Sequence, residues 1–192
     1  RSSMLFGNMP RDGGFLIFNL DEKNNLVNKY PEIRKFFRPY LGSEEMINGK
    51  IRYCIWIEEE NKDVAMNHYF LSKVINKVKE FRIESKARST NEFAKKPYRF
   101  VQIAGKAKSN SLAISKVSSE KRKYLPIDLL SRNKIVSDLL FAMYDVPLWN
   151  FSIIASRLHL NWIATVCGKM KTDYRYSNTL GWNTFPLPDI TE

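Results

Sequence analysis

Residues 64–85, VAMNHYFLSKVINKVKEFRIES, carry the pattern that decides the fold class of this 192-residue chain. Apolar side chains recur there at spacings of three and four, which predicts one long amphipathic helix. These side chains are Met66, Phe70, Val74, Val78 and Phe81. Strand-like segments follow at 98–103, 112–117, 123–127 and 135–144. Helices and strands are mixed without βαβ alternation, so we predict an α+β fold with mixed, mostly antiparallel strands.

A second long helix is predicted over residues 148–166, and Asp145 and Pro147 just before it are typical of a helix start. Gly168 follows its last apolar residue and is predicted to be the C-terminal stop. The length fits a single domain over residues 1–192, or one domain with two lobes.

The N-terminal part is predicted to contain shorter elements. Residues 15–18 form an apolar strand after a turn, and residues 21–30 a short helix with Asp21 as its N-cap. Pro31 can open a further helix. Asn48-Gly49 predicts a hairpin turn leading into a strand at 51–57.

Composition sets the broad class of protein. Hydrophobic residues make up 44% of the chain, enough for a sizeable core, but no apolar run approaches the about 18 residues of a membrane span. The start has no signal-peptide pattern, and it lacks an initiator Met. We therefore expect a fragment of a longer cytoplasmic protein.

The two cysteines and two histidines are predicted to be structural. Cys54 and Cys167 each stand alone in apolar surroundings, as is typical of buried reduced thiols. With only His68 and His159 beside them, the ligands for a zinc site are too few. His159 lies between leucines on the predicted second helix, which favours a half-buried imidazole with a hydrogen-bond partner over a catalytic one.

The positive charge is regional. The net charge is +11, and residues 73–134 hold 17 Lys and Arg against 5 Asp and Glu. The rest of the chain is almost neutral. Such a concentration is expected of an electrostatic footprint on a polyanion, with a solvated basic surface as the alternative.

Catalytic motifs are missing from the sequence. It has no P-loop, no Gly-x-Gly-x-x-Gly run and no Gly-x-Ser-x-Gly elbow. It has no Pro-Pro, so it lacks the Asn/Asp-Pro-Pro-aromatic loop with which adenine methyltransferases hold a flipped base. A PD…(D/E)xK nuclease pattern is also missing. We expect no catalytic residue, no metal and no cofactor within this chain.

Residues 169–177, KMKTDYRYS, are better suited to recognition. In a continuous strand, Lys169, Lys171, Asp173 and Arg175 would share one face. Lys or Arg can donate to guanine O6 and N7, and Asp can accept from cytosine N4, so Lys171 and Asp173 could span one G·C pair. The alternative is an intramolecular ladder of salt bridges on an exposed strand.

Several further cations are candidates for phosphate contacts, which position a protein on DNA without reading its sequence. Lys169 starts the strand just described. The others are a basic cluster of Lys121, Arg122 and Lys123 and four cations upstream of it: Lys95, Lys96, and Lys106 and Lys108 in a flexible loop.

The chain resembles the target-recognition domain of MmeI-type enzymes, which are single-chain restriction–modification proteins of types IIG and IIL. Six segments carry the resemblance nearly end to end: 7–14 (GNMPRDGG), 37–43 (FRPYLGS), 52–56 (RYCIW), 117–127 (VSSEKRKYLPI), 156–159 (SRLH) and 168–177 (GKMKTDYRYS), closing on 183–186 (NTFP).

The resemblance implies a role and a parent protein. In this bacterial family a nuclease, a helical spacer and an adenine-N6 methyltransferase core precede the recognition domain, which reads an asymmetric site in double-stranded DNA. S-adenosylmethionine, and Mg²⁺ where the nuclease is active, belong to those other domains. The family's base-reading couples fall here on Lys116 with Asp138, Leu139 with Arg175, and Lys171 with Asp173.

Two other functions stay open at this point. A general RNA-binding or single-strand-binding domain would present aromatic side chains for stacking, whereas most aromatics here sit at core-periodic positions. A protein-interaction domain would use the basic face against an acidic partner. A measurement of binding to duplex DNA separates these two alternatives from a target-recognition domain.

Overall fold

The computed structural model describes residues 1–187 and has an α+β fold, as predicted. Seven α-helices lie within these residues, at α1 Leu20–Lys29, α2 Ser43–Asn48, α3 Lys62–Asn67, α4 Tyr69–Ile83, α5 Arg88–Glu92, α6 Trp149–Ile154 and α7 Arg157–Val166. Short 3-10 helices cover Pro31–Phe36, Glu59–Asn61 and Phe93–Lys95, and a π-helical turn covers Asn178–Trp182.

The strands are short. Within the described residues they are β1 Leu5–Phe6, β2 Ile17–Asn19, β3 Phe37–Leu41, β4 Arg52–Ile55, β5 Asn110–Ser115, β6 Val117–Ser118, β7 Ile127–Ser131, β8 Ile135–Val136, β9 Leu140–Tyr144, β10 Lys169–Met170 and β11 Asp173–Arg175. The strand pairs β1–β9, β5–β9, β5–β7, β10–β11, β6–β11, β2–β4 and β3–β4 are all antiparallel, in agreement with the sequence pattern.

The chain divides into two compact units. Unit 1 comprises Arg1–Gly7, Gly42–Gly49 and the chain from Ala104 onward. Unit 2 comprises Asn8–Leu41 and Lys50–Ile103. Every residue for which the sequence predicted base reading belongs to unit 1, whereas the predicted phosphate contacts Lys95 and Lys96 belong to unit 2.

Unit 1 is built on a four-stranded sheet in the order β1-β9-β5-β7 and a three-stranded sheet in the order β10-β11-β6. Its core is apolar and buried, and includes Leu112 and Ile114 of β5, Phe141 of β9 and Ile163 of α7. Trp182 is fully buried and its indole nitrogen donates to the Ser2 carbonyl (2.7 Å). The N-terminal segment is therefore fixed to the last described part of the same unit.

Unit 2 contains the sheet β2-β4-β3 with α1, α3, α4 and α5. The guanidinium of Arg82 in α4 is fully buried and donates to five backbone carbonyls at 2.8–3.2 Å. Those carbonyls belong to Pro10, Arg11, Phe93, Lys96 and Arg99. Burial lowers the pKa of Arg82 to about 10, so the side chain stays charged at neutral pH and ties distant loops to one helix.

The prediction of two unbroken long helices was wrong. The first is interrupted at His68, whose backbone is extended and whose Nδ1 accepts from the amides of Phe70 and Leu71 (3.2 and 3.3 Å). The second is interrupted before α7, where Ser156 Oγ accepts from the His159 amide (3.1 Å). In both places a polar side chain caps a new helix, and apolar periodicity alone does not register such a break.

Two glycine predictions were also wrong. Gly49 is not in a hairpin turn: it has φ 68° and ends helix α2, since a left-handed glycine serves helix ends as well as tight turns. Gly168 is not a left-handed helix stop: α7 ends at Val166, and the extended residue Cys167 carries the cap.

Helix α1 is capped two residues earlier than predicted. Asn19, not Asp21, is its N-cap: Asn19 Oδ1 accepts from the Glu22 amide (2.9 Å), and Glu22 Oε2 accepts from the Asn19 amide (2.8 Å). This reciprocal capping box fixes the start of α1 at Leu20. The 3-10 helix begins at Pro31, as predicted.

The predicted strand at 98–103 is wrong. Only Gln102 bridges, to Met9; Tyr98 and Phe100 are buried, with the Phe100 ring against Trp56 and the Tyr98 hydroxyl donating to Glu59. The segment predicted at 123–127 begins its strand only at Ile127. The segment predicted at 135–144 is split by a turn at 137–139, which matters for the site below. Residues 188–192, the end of the predicted C-terminal loop, lie outside the described residues.

Candidate nucleic-acid interface

Unit 1 contains a groove of about 730 Å³ that collects several of the predicted site residues. Lys116 reaches it from the link between β5 and β6, Leu139 from the turn between β8 and β9, and Arg175 from β11. Because Arg175 pairs with Val117 across β11 and β6, the second sheet forms one wall. Three segments distant in sequence thus meet at one surface.

The structure brings the predicted couple of Lys116 and Asp138 together. Lys116 Nζ donates to the Asp138 carbonyl, and its ammonium lies 4.1 Å from the ring centroid of Phe6 and 5.2 Å from that of Phe141. Burial lowers the pKa of Lys116, and the nearby charge of Asp138 opposes that shift. The ammonium is thereby held in a defined place before any ligand arrives.

The turn that carries Asp138 and Leu139 is tightly fixed. Ser137 Oγ accepts from the Leu139 amide (3.2 Å), and the Leu140 amide donates to the Ser137 carbonyl (3.0 Å). A Cβ at Gly7 would lie only 2.1 Å from the Ser137 carbonyl oxygen, so glycine is required for this approach. Leu139 itself remains 55% exposed.

Residues 169–175 do not form the continuous strand that the alternation predicted. They form a hairpin in which Met170 pairs with Asp173, and Lys171 lies in the two-residue turn at φ 57°. Lys171-Thr172 has none of the usual Asn or Gly signals of such a turn, which is why the sequence did not indicate it. Asp173 and Arg175 share a face of β11, while Lys171 is exposed at the tip.

The hairpin contains no salt-bridge ladder. Within residues 1–187, the side chains of Lys171, Asp173 and Arg175 make neither a salt bridge nor a hydrogen bond. The alternative interpretation of this segment required such pairs. Their polar groups therefore remain available to a ligand.

Tyr176 anchors this hairpin in the core. Its amide donates to the Lys116 carbonyl (2.8 Å), and its hydroxyl is 2.9 Å from His159 Nε2. His159 has the structural role predicted for it, but it is fully buried, and burial lowers its pKa to about 4. A neutral imidazole thus supports the strand that presents Arg175.

The sequence did not single out four residues that shape the groove. Phe6 ends strand β1 and Gly7 follows it, Tyr176 follows Arg175, and Ser43 Oγ donates to the Leu139 carbonyl (3.4 Å). Gly7 and Tyr176 lie inside the segments that carry the family resemblance, which was the one available signal. The contacts of Phe6 and Ser43 cross long stretches of chain and have no local pattern.

The predicted phosphate contacts other than Lys95 and Lys96, which are exposed in unit 2, are on the surface of unit 1. Lys121, Arg122 and Lys123 are exposed in and after a turn closed by the Arg122 amide on the Ser119 carbonyl (3.0 Å). Lys169 is exposed as well, with its ammonium 5.4 Å from the Tyr174 ring centroid.

The loop with Lys106 and Lys108, both exposed, is fixed at its far end by Asp145. The Asp145 carboxylate accepts from the amides of Lys108 and Ser109, and these hydrogen bonds lower its pKa to about 2. This loop is thus more ordered than the flexible segment that the sequence predicted.

Three further findings concern other functions. Within residues 1–187 no group of three or more His, Cys, Asp or Glu side chains is arranged to hold a metal ion. No helix in that part of the chain is both long and apolar enough to cross a membrane. Cys54 and Cys167 are free thiols, and burial raises the pKa of both.

Over residues 1–189 the sequence matches the family model described as "MmeI, target recognition domain", and the chain belongs to this family of target-recognition domains. The match extends over both units, so the family relationship concerns the whole fold and not the groove alone.

Two larger proteins are similar to the chain. DNA methyltransferase A of Bacillus subtilis (strain 168) is 38% identical over 186 residues, which is 97% of this chain but 21% of that protein. The type IIL restriction–modification enzyme MmeI, solved in complex with DNA, matches with a TM-score of 0.93 and 33% identity. That match covers 100% of this chain and 26% of the enzyme.

Proposed function

We propose that this chain reads base pairs in the major groove of double-stranded DNA as the specificity module of an adenine-N6 DNA methyltransferase. The observation that carries the proposal is the groove of unit 1, where the Lys116 ammonium, held by the Asp138 carbonyl, and the Arg175 guanidinium line the same concave surface. Such groups can distinguish base pairs by their donors and acceptors.

The Lys116 couple illustrates the proposed chemistry. An ammonium has three N–H donors, and one is used on the Asp138 carbonyl. The remaining donors can reach guanine O6 and N7, while the Asp138 carboxylate can accept from cytosine N4. We assign the same contacts, Lys to guanine and Asp to cytosine, to Lys171 and Asp173 on the hairpin. Leu139 and Arg175 in the groove would read a further base pair.

The exposed cations would contact phosphates. Lys106, Lys108, Lys121, Arg122, Lys123 and Lys169 belong to unit 1, like the groove. Contacts of this kind supply affinity and set the register of a protein on the duplex, and salt weakens them.

Catalysis would belong to other parts of a longer bacterial cytoplasmic protein. The chain spans about a fifth to a quarter of the relatives that it matches. We assign the base-flipping pocket and the S-adenosylmethionine site, together with any Mg²⁺-dependent nuclease, to those missing parts. The isolated chain would then catalyse neither methyl transfer nor cleavage, and methylation by the purified chain would contradict this division.

A salt titration tests the proposal. The chain is mixed with a random-sequence duplex, and the affinity is measured by fluorescence anisotropy between 50 and 200 mM salt. We expect duplex binding that falls linearly on a log–log plot, with a slope set by about 0.9 per phosphate neutralised.

Two controls separate the other functions. Tighter binding to single strands or RNA than to the duplex would favour a general nucleic-acid-binding domain. An absence of duplex binding at any salt concentration would favour an acidic protein as the partner. Either result would contradict the proposed function.

A further inference from the structure

The groove of unit 1 has an apolar floor beside its charged groups. Leu139 and Met170 are 55% and 52% exposed, and both line the groove beside Arg175. Val117, which pairs with Arg175, is also exposed there. Exposed apolar side chains gathered in one concave site, and not scattered over the surface, mark a binding site.

The apolar side chains of the groove differ in the contacts that they make within the protein. Phe6 has its ring covered by the Lys116 ammonium at 4.1 Å. Leu139 and Met170 are both more than half exposed, and their side chains have no polar atom able to make a strong hydrogen bond. Their exposed surface in the groove therefore suits an apolar group of a ligand.

We propose that Leu139 and Met170 form a seat for the 5-methyl group of a thymine, next to a base pair read by the charged groups of the groove. This inference rests on the proposed function. The surrounding cations, Lys116 and Arg175, match a polyanionic duplex. On the major-groove edge of the four bases, thymine alone presents a methyl group, and apolar side chains read it.

Leu139 suits this role because of how it is held. Its amide is bonded to Ser137 Oγ (3.2 Å) and its carbonyl accepts from Ser43 Oγ (3.4 Å), so the backbone is fixed while the side chain projects into the groove. A rigid backbone limits the entropy lost on binding and makes a contact with one methyl group selective.

The test removes one methyl group from the DNA and leaves base pairing unchanged. The preferred duplex is first selected from a random library with the full-length protein that carries this chain. Each thymine of that duplex is then replaced in turn by deoxyuridine, and the affinity is measured. We expect one position at which the wild type loses about fourfold in affinity, the value for burying one methyl group.

Variants assign that position to the seat. In Leu139→Ala and Met170→Ala the loss caused by deoxyuridine should fall below about twofold. The control Leu129→Ala removes a leucine of similar exposure on β7, outside the groove, and should keep the full loss. Because all three side chains are exposed, each variant should unfold at close to the wild-type temperature, and this measurement reports that the variants are folded.

The outcomes separate this inference from the proposed function. A selected site without thymine, or one in which no deoxyuridine lowers affinity, would overturn the methyl seat and leave base reading intact. Equal deoxyuridine sensitivity in the wild type and both groove variants would do the same. Failure to select any preferred duplex would overturn the proposed function as well.

Discussion

Replacing Lys116 with methionine would test base reading at the most fully described position of the site. The substitution keeps an unbranched side chain but removes the ammonium that lies over Phe6 and bonds the Asp138 carbonyl. Because the carbonyl belongs to a turn held by its own backbone hydrogen bonds, the turn should survive. The change then reports on recognition and not on folding.

The expected magnitude follows from the donors that the structure leaves available. With one N–H committed to Asp138, two remain for guanine O6 and N7. A good bidentate contact discriminates by about 1–3 kcal/mol, which is roughly a 5- to 150-fold preference. Lys116→Met should erase that preference at one base pair and leave the other positions of the site unchanged.

The assay compares affinities for the selected duplex and for the three duplexes altered at that base pair. Lys121→Met is the matched control, since it removes an exposed cation of the basic cluster. The control should weaken all duplexes alike and lower the salt slope by about 0.9. If Lys116→Met weakens all four duplexes alike, so that the preference at that base pair survives, Lys116 does not read a base.

Three predictions concern the scaffold, and the free energy of unfolding measures each. Arg82→Met should cost about 3 kcal/mol or more because it leaves buried carbonyls without a donor. The control Arg88→Met removes an exposed arginine and should cost under about 0.5 kcal/mol. Equal costs would contradict the structural role of the hydrogen bonds from Arg82 to the backbone carbonyls. Gly7→Ala should cost about 1–3 kcal/mol because the added Cβ would overlap the Ser137 carbonyl. The control Gly168→Ala, whose Cβ meets open space, should cost little. A neutral Gly7→Ala would show that the turn at 137–139 can move to accommodate the Cβ. The pKa of His159 is about 4 in the folded protein and 6.5 in the unfolded reference, so the unfolded state binds the proton first as the pH falls. The free energy of unfolding should therefore decline from about pH 6.5 to pH 4 by on the order of 3 kcal/mol. A decline that persists in His159→Gln would have another origin.

The fold class and several local elements were predictable because they depend on local patterns. The apolar spacing around Val74 and Val78 indicated a helix, and the strand-like segment at 112–117 indicated β5. The helix breaks were not predictable from spacing, because His68 and Ser156 act through their side chains on the next turn of backbone. The hairpin at Lys171 was missed since no turn residue marks it.

Part of the candidate site could be predicted, and the rest depended on tertiary contacts. The resemblance paired Lys116 with Asp138, and the structure places them in contact. Alternation alone put Lys171 on the same strand face as Asp173, which was wrong. The close approach of Gly7 to Ser137 joins residues far apart in sequence, so no local pattern could have indicated it.

The central claim is that side chains of this chain choose the base sequence, and exchanging Lys171 and Asp173 tests it most directly. The double substitution Lys171→Glu with Asp173→Arg, made in the full-length protein, reverses the donor and the acceptor on the hairpin. The DNA sequence preferred by each protein is then determined by selection from a random duplex library. We expect one G·C pair of the preferred sequence to become C·G, with every other position unchanged. An unchanged preferred sequence in a folded, DNA-binding variant would contradict it.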